Sequence, residues 1–232
     1  MKPAAPASSR LLFVSGLKRE AAIAHGPDAL AICGDGATLR AELAQASAQM
    51  GLTISFGICG GLDPALRSGD IVVGMHVVAD GGALMADETV ARELAARLGA
   101  AGERVSLGIV AGVEAPVVTR AAKAELRKTT KASSVDMESH IAARFAADRN
   151  RPFAILRVVS DPADRDLPPL VIKAARPDGS VDLGAVAFGA LASPSQIRGL
   201  VAAARDSSAA FAALRRCRRL PGLFFGLGLT QL

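Results

Sequence analysis

Short apolar runs alternate with amphipathic stretches from about Arg10 to Asp161, and glycine or a polar cap marks each switch. LLFVSG, ALAICG, TISFGICG, DIVVGMHVVAD, RVSLGIVAG, SSVDM and PFAILRVVSD read as strands. Between them ATLRAELAQASAQMG, DETVARELAARLG, TRAAKAELRKTTK and ESHIAARFAADRN read as helices, each long enough to cover one face of a sheet. The pattern predicts an α/β fold, a three-layer α/β/α sandwich. After LPPL it changes to a polar turn at RPDGS and an alanine-rich helical stretch from about Ser193 to Arg216, an appendage to the same core.

Composition sharpens this in a few places. At 232 residues one domain is the expectation, over 10–220, with a disordered lead at 1–9 and an apolar tail at 221–232. Half the residues are hydrophobic, yet no run approaches the roughly 18 apolar residues of a membrane-spanning helix. MKPAAPASSR lacks the apolar segment of a secretory signal, so the protein is expected in the cytoplasm. Cys33, Cys59 and Cys217 are far apart and odd in number, and His25, His76 and His140 have no ligand spacing, so neither disulfides nor a metal is expected.

The net charge of +5 owes much to Arg215, Arg216, Arg218 and Arg219. With no Trp or Tyr to stack on bases, nucleic acid is a poor partner, which leaves phosphate-bearing ligands or an anionic lipid surface. The basic cluster runs into LPGLFFGLGLTQL, where Leu223, Phe224, Phe225 and Leu227 suit either a peripheral membrane contact or a terminal segment folded onto the core.

Three glycine turns follow strands: SGLKREA, CGDGATL and FGICGGL. At the carboxyl ends of strands such turns let a ligand approach the backbone, and helix N-termini favour anions. CGDGATL has Leu39 where a dinucleotide fingerprint needs its third glycine, and there is no Walker A lysine pattern. In SVDMESH, Glu138 arrives as a helix begins, either as a solvated cap or as a clamp on two vicinal hydroxyls. In VVSDPADRD, Asp161 ends an apolar strand, where desolvation can raise its pKa into the range of a general acid.

Taken in order, these segments resemble the purine nucleoside phosphorylase and methylthioadenosine nucleosidase family, through GLKREA, CGDGA, GICGGLDPALRSGDIVV, VDMES and RVVSDPAD. The full VDMESHIAA run, the LPP turn, DGSVDLGAV and RDSSAAFAALRRC are most similar to its hopanoid-associated branch, which releases adenine from adenosylhopane. The resemblance implies a nucleoside phosphorylase-like fold with a central mixed sheet, and a homo-oligomer. It implies that Asp161 protonates the leaving adenine with Ser160 orienting it, and that Met137 and Glu138 hold the ribose beside the Gly60–Gly61 loop. Glu20 is a candidate for the nucleosidase water-activating glutamate, although that register falls on Ala21.

Inorganic phosphate is the implied co-substrate, and no cofactor is needed. The family's usual phosphate contacts are replaced here by Ile58 and Ser55, so phosphate is expected on backbone amides around Gly16, Gly34, Gly60 and Gly61, with Lys18, Arg19 or Arg40 supplying charge. The alternatives are hydrolysis of a soluble thioadenosine and a non-catalytic nucleoside-binding module.

Overall fold

The computed structural model describes residues 10–27, 29–46, 50–170, 176–180, 182, 197–220 and 222–224. The lead at 1–9, Phe225 and Leu227 lie outside them, as do Val181 and residues 183–186 of the DGSVDLGAV stretch. Among the described residues the strands are β1 (Arg10–Ser15), β2 (Ala29–Cys33), β3 (Met50–Gly61), β4 (Ile71–Ala79), β5 (Gly82–Met85), β6 (Val105–Gly112), β7 (Ser134–Asp136) and β8 (Phe153–Asp161). The helices are α1 (Lys18–Ala24), α2 (Gly36–Gln45), α3 (Glu88–Ala100), α4 (Arg120–Thr130), α5 (Ser139–Asp148) and α6 (Ile197–Arg219).

The strands form one mixed sheet. β2, β1 and β3 pair in parallel. β3 then pairs β8 in parallel and β8 pairs β4 antiparallel. β4, β6 and β7 continue in parallel, and β7 returns to β3 antiparallel, so this part of the sheet closes on itself. Closure gathers the ends of β3, β7 and β8 at one place, where Gly60 pairs with both Val135 and Asp161.

Alternation along the strands divides the core into two layers. Phe13, Ile54, Phe56, Ile71, Val73, Leu156 and Val158 face Val90, Leu94 and Leu98 of α3 and Phe211 and Leu214 of α6. Their neighbours Leu12, Val14, Val72, Ile155 and Val159 face Leu39 and Leu43 of α2 and Ile141, Ala142 and Phe145 of α5. The caps follow the sequence: Asp35, Asp87 and Thr119 each accept from a backbone N–H of the helix that follows.

Two elements escape the apolar pattern because they are short, the seven-residue α1 and the four-residue β5. The helix read through Met50 and Gly51 instead ends at Gln45, and β3 begins at Met50. The C-terminal helix runs from Ile197 to Arg219.

The beginning of the tail belongs to the core. Leu223 and Phe224 are buried, and Phe224 meets Phe13 edge-on with ring centroids 5.2 Å apart and Phe56 at 6.3 Å. The arginines before it are engaged too: Arg216 pairs with Glu103 at 2.6 Å, and Arg218 Nε donates to the carbonyl of Ala24 at 2.9 Å. Phe224→Ala is predicted to lower the unfolding free energy by about 3 kcal/mol in chemical denaturation. Wild-type stability in that variant would mean the ring does not pack there in solution.

Candidate active site

β8 is buried along almost its whole length, and in its middle stands a charge: Arg157, with no solvent exposure. A guanidinium there is tolerable only if its charge is answered. Its Nε lies 2.7 Å from Asp136 Oδ2 at the end of β7, an ion pair without the alignment of a hydrogen bond, and its Nη1 lies 3.1 Å from Glu138 Oε2. Nη2 donates to Ser55 Oγ on β3 at 2.5 Å, and Ser55 is in turn 2.8 Å from Ser139 Oγ. Ser139 donates its hydroxyl to Asp136, whose other oxygen accepts the Ser139 and Glu138 amides at 2.8 and 3.1 Å and so caps α5.

Glu20 is the third carboxylate of this cluster. It is buried and accepts from the amides of Ile58, Leu17 and Gly16 at 2.7, 2.8 and 2.9 Å. Two glycines make room for the arrangement. A Cβ at Gly57 would sit 2.6 Å from Glu20 Oε1 and 2.7 Å from Arg157 Nη1, and one at Gly16 would collide with Glu138 Oε1.

With one cation among three carboxylates the charges cannot all be matched. Burial raises Glu138 to about 8, Arg157 opposes this, and Asp136 and Glu20 add to it. Burial also raises Glu20 against the pull of Arg157 and its three amide donors. For Arg157 burial works against the charge, but the surrounding carboxylates outweigh it and keep the guanidinium charged.

At the end of β8 the ladder with β3 shifts. Cys59 pairs with Val159 but Gly60 pairs with Asp161, so Ser160 is an extra residue bulged out of the strand. Such a bulge re-aims the side chain after it. Asp161 turns into a pocket of about 250 Å³ whose lining includes Ile58, Gly60, Val113, Met137, Glu138 and Ser160, with Arg165, Leu167 and Ala203 and Asp206 of α6. Ser160 Oγ donates to Asp161 Oδ1 at 2.7 Å. Burial raises the Asp161 carboxyl above the ordinary aspartate value, against the opposing charge of Lys123. The pocket thus brings the Asp161 acid together with the Asp136 carboxylate and the Glu138 carboxyl, groups suited to protonating a leaving group while positive charge develops beside it.

The family model of the phosphorylase superfamily matches residues 22–187, more than half of the chain. The chain belongs to the phosphorylase superfamily. Among solved structures, futalosine hydrolase of Helicobacter pylori strain 26695 is similar with a TM-score of 0.65 and 11% identity, covering 90% of this chain and 97% of that one. The S-adenosylhomocysteine nucleosidase from Streptococcus pyogenes has a TM-score of 0.62 and 14% identity, covering 92% and 99%. The 5′-methylthioadenosine/S-adenosylhomocysteine nucleosidase from Neisseria meningitidis has a TM-score of 0.61 and 18% identity, covering 90% and 99%. No curated protein matches in sequence.

In this superfamily member Asp161, Ser160, Gly60, Met137 and Glu138 come together on one pocket. Gly61 lies beside it, paired with Ser134. The residues expected to bind phosphate have protein partners. The Gly16 amide donates to Glu20, Gly34 N reaches the Ser15 carbonyl at 3.4 Å, and Arg40 pairs with Glu114 at 2.5 Å. The turn at 176–180 closes over the same glycine loops. Gly179 O accepts from Lys18 N and Pro177 O from Asp35 N, each at 2.8 Å, and Asp178 pairs with Lys18 at 2.5 Å.

Sequence reasoning assigned no role to Arg157, Asp136 or Lys123. Arg157 had a signal, a lone charge inside an apolar strand. Lys123 had none, being one of several basic residues on α4.

The raised Glu138 gives a pH prediction. Stability from its protonated form is fully present below about 4.5 and lost as pH rises through about 8. Glu138→Gln, which cannot ionise, should therefore gain melting temperature relative to wild type as pH increases across that window. A difference in Tm that stays constant with pH would contradict the buried, protonatable state.

Proposed function

We propose that this chain cleaves the N-ribosidic bond of an adenosine carrying an apolar 5′ group and releases adenine, with adenosylhopane as substrate and inorganic phosphate as nucleophile. The observation that carries the cleavage reading is Asp161, buried at a strand bulge and lining one pocket with Met137 and Glu138. In the reaction the C1′–N9 bond breaks with its electron pair passing to the base. Asp161 supplies a proton to the imidazole-ring nitrogen, so a neutral adenine leaves. The sugar becomes oxocarbenium-like, and the carboxylate of Asp136, held by Arg157, stabilises that charge, while the Glu138 carboxyl is placed to hold the ribose hydroxyls. A bond from phosphate oxygen to C1′ completes the exchange.

The apolar 5′ group rests on the resemblance of the C-terminal third and on the apolar part of the lining, Val113, Pro116, Val117, Leu167 and Ala203. Ile197 and Val201 stand exposed on the first turns of α6, the helix that carries Ala203. A cytoplasmic homo-oligomer that meets the membrane peripherally belongs to the same reading. No helix among the described residues is long and apolar enough to cross a membrane.

A second reading, hydrolysis of a nucleoside such as methylthioadenosine, is favoured by one feature of the pocket. Asp136 and Asp166 line it with the acids Glu138 and Asp161, and among the described residues its one lining cation, Arg165, is already paired with Asp206, so the pocket disfavours a phosphate dianion more than water.

One assay separates these readings: adenine release from 5′-substituted adenosines, including adenosylhopane in detergent, with and without phosphate. Phosphorolysis predicts a rate that rises with phosphate and a product phosphorylated at C1′; release independent of phosphate establishes hydrolysis. In either case Asp161→Asn should reduce the rate by about 10²–10⁴-fold. Unchanged release in that variant would remove Asp161 as the acid, and no release from the wild-type chain would leave a binding module.

A further inference from the structure

Lys123 has no solvent exposure, although it sits on α4, a helix that otherwise presents its charges to solvent. Its ammonium reaches four acceptors, all on the segment that begins with the acid. Asp161 Oδ2 is at 2.7 Å, and the carbonyls of Pro162, Arg165 and Asp161 are at 2.9, 3.1 and 3.2 Å. Three N–H donors are fully used, and the loop from Asp161 to Arg165 is wound around one nitrogen. The same loop is tied to the start of α4 by Leu167 N to Val118 O at 2.8 Å and Arg120 N to Asp166 Oδ1 at 2.7 Å.

The two oxygens of Asp161 are thereby made unequal. Oδ2 is held in an ion pair, whereas among the described residues Oδ1 bonds only a hydroxyl, Ser160 Oγ at 2.7 Å. That hydroxyl has one proton and two acceptors, since the Cys59 carbonyl is 3.2 Å away. We propose that Lys123 is the positioning residue of the acid: it fixes Oδ2 as the ionic end, so that the transferable proton resides on Oδ1, and Ser160 reverses its hydrogen bond as that proton comes and goes. With Asp161 ionised, Ser160 donates to Oδ1. With Asp161 protonated, Oδ1–H donates to Ser160 Oγ and the Ser160 proton turns to the Cys59 carbonyl. The proton on Oδ1 then passes to the departing base, the carboxylate left behind keeps Lys123 as its counter-charge, and solvent restores the proton between turnovers. This deepens the cleavage reading above and rests on it.

Asp161 has other charged neighbours. Asp136, Glu138, Arg165, Asp166 and Asp206 share its pocket, Arg157 stands behind the first two, and Cys59 lies against the pocket floor. Arg165 is paired with Asp206, and Arg157 is held by Asp136 and Glu138, which leaves Lys123 as the cation in contact with the Asp161 carboxylate. A cation at that distance favours ionised aspartate by about 1–3 pH units.

The test compares Lys123→Met and Lys123→Arg with wild type on two probes, an adenosine with a 5′-alkyl group and the matching 4-nitrophenyl riboside, whose leaving group needs no proton. Activity on the adenosine requires protonated Asp161 and falls as pH rises through its pKa. Loss of the cation should move that alkaline limb of kcat upward by about one pH unit or more. It should also lower kcat on the adenosine by about 10-fold or more, while the nitrophenyl riboside stays within about threefold. Lys123→Arg, which keeps the charge, should retain the wild-type limb and remains informative if the methionine variant does not fold. Equal losses on both probes, an unmoved limb in Lys123→Met, or a moved limb in Lys123→Arg would overturn the proposal. Wild-type chain and Asp161→Asn serve as the separate controls: no adenine release from wild type refutes the cleavage reading itself, full release in Asp161→Asn refutes its acid, and loss in Asp161→Asn beside a wild-type profile in Lys123→Met refutes only the role of Lys123.

Discussion

A guanidinium buried in the middle of β8 is the constraint around which this molecule is arranged. Arg157 is useful only where its charge is answered, and the answers come from separate parts of the chain. Asp136 arrives on β7, Glu138 at the start of α5, and Ser55 on β3, with Glu20 from α1 alongside. Bringing these together requires the sheet to close from β3 through β8, β4, β6 and β7. It also requires glycine at 57 and 16, where any side chain would enter the cluster. Burying such ions costs several kcal/mol each unless every one is paired, so the cluster is better understood as fixing an arrangement than as a source of stability.

The same arrangement gives the pocket its polarity. Among the described residues the two fully buried cations, Arg157 and Lys123, are absent from the pocket lining, whereas the acidic groups they hold are part of it. The cations orient without meeting the ligand, and Asp136 presents negative charge where a ribosyl cation would form. In a partly apolar recess that charge is screened less than in water. The bulge at Ser160 adds the last part by aiming Asp161 at the opposite side of the same space.

Much of this could be read from the chain before its fold was known. Apolar alternation identified seven of the eight strands, because core strands here are nearly continuous runs of Val, Ile, Leu and Phe. It passed over β5, an edge strand of four largely exposed residues, and α1, which is short and hidden in a glycine turn. The pocket residues were legible because they sit in motifs at strand ends. The glycine-turn amides were not, since whether an N–H is free for an anion depends on distant partners such as Glu20 and the turn at 176–180. The tail was ambiguous for a related reason: Leu223 and Phe224 have the composition of a membrane contact, and only the nearness of Phe13 and Phe56 makes them core.

The central claim is that Arg157 and its carboxylates depend on each other. A double-mutant cycle on unfolding free energy tests it most directly, using Arg157→Met, Asp136→Asn and the pair. Arg157→Met alone should destabilise by about 3–5 kcal/mol because it leaves buried carboxylates without their cation. Adding Asp136→Asn should return part of that loss, with a coupling of at least about 1 kcal/mol. Strictly additive effects of the two substitutions would contradict the account.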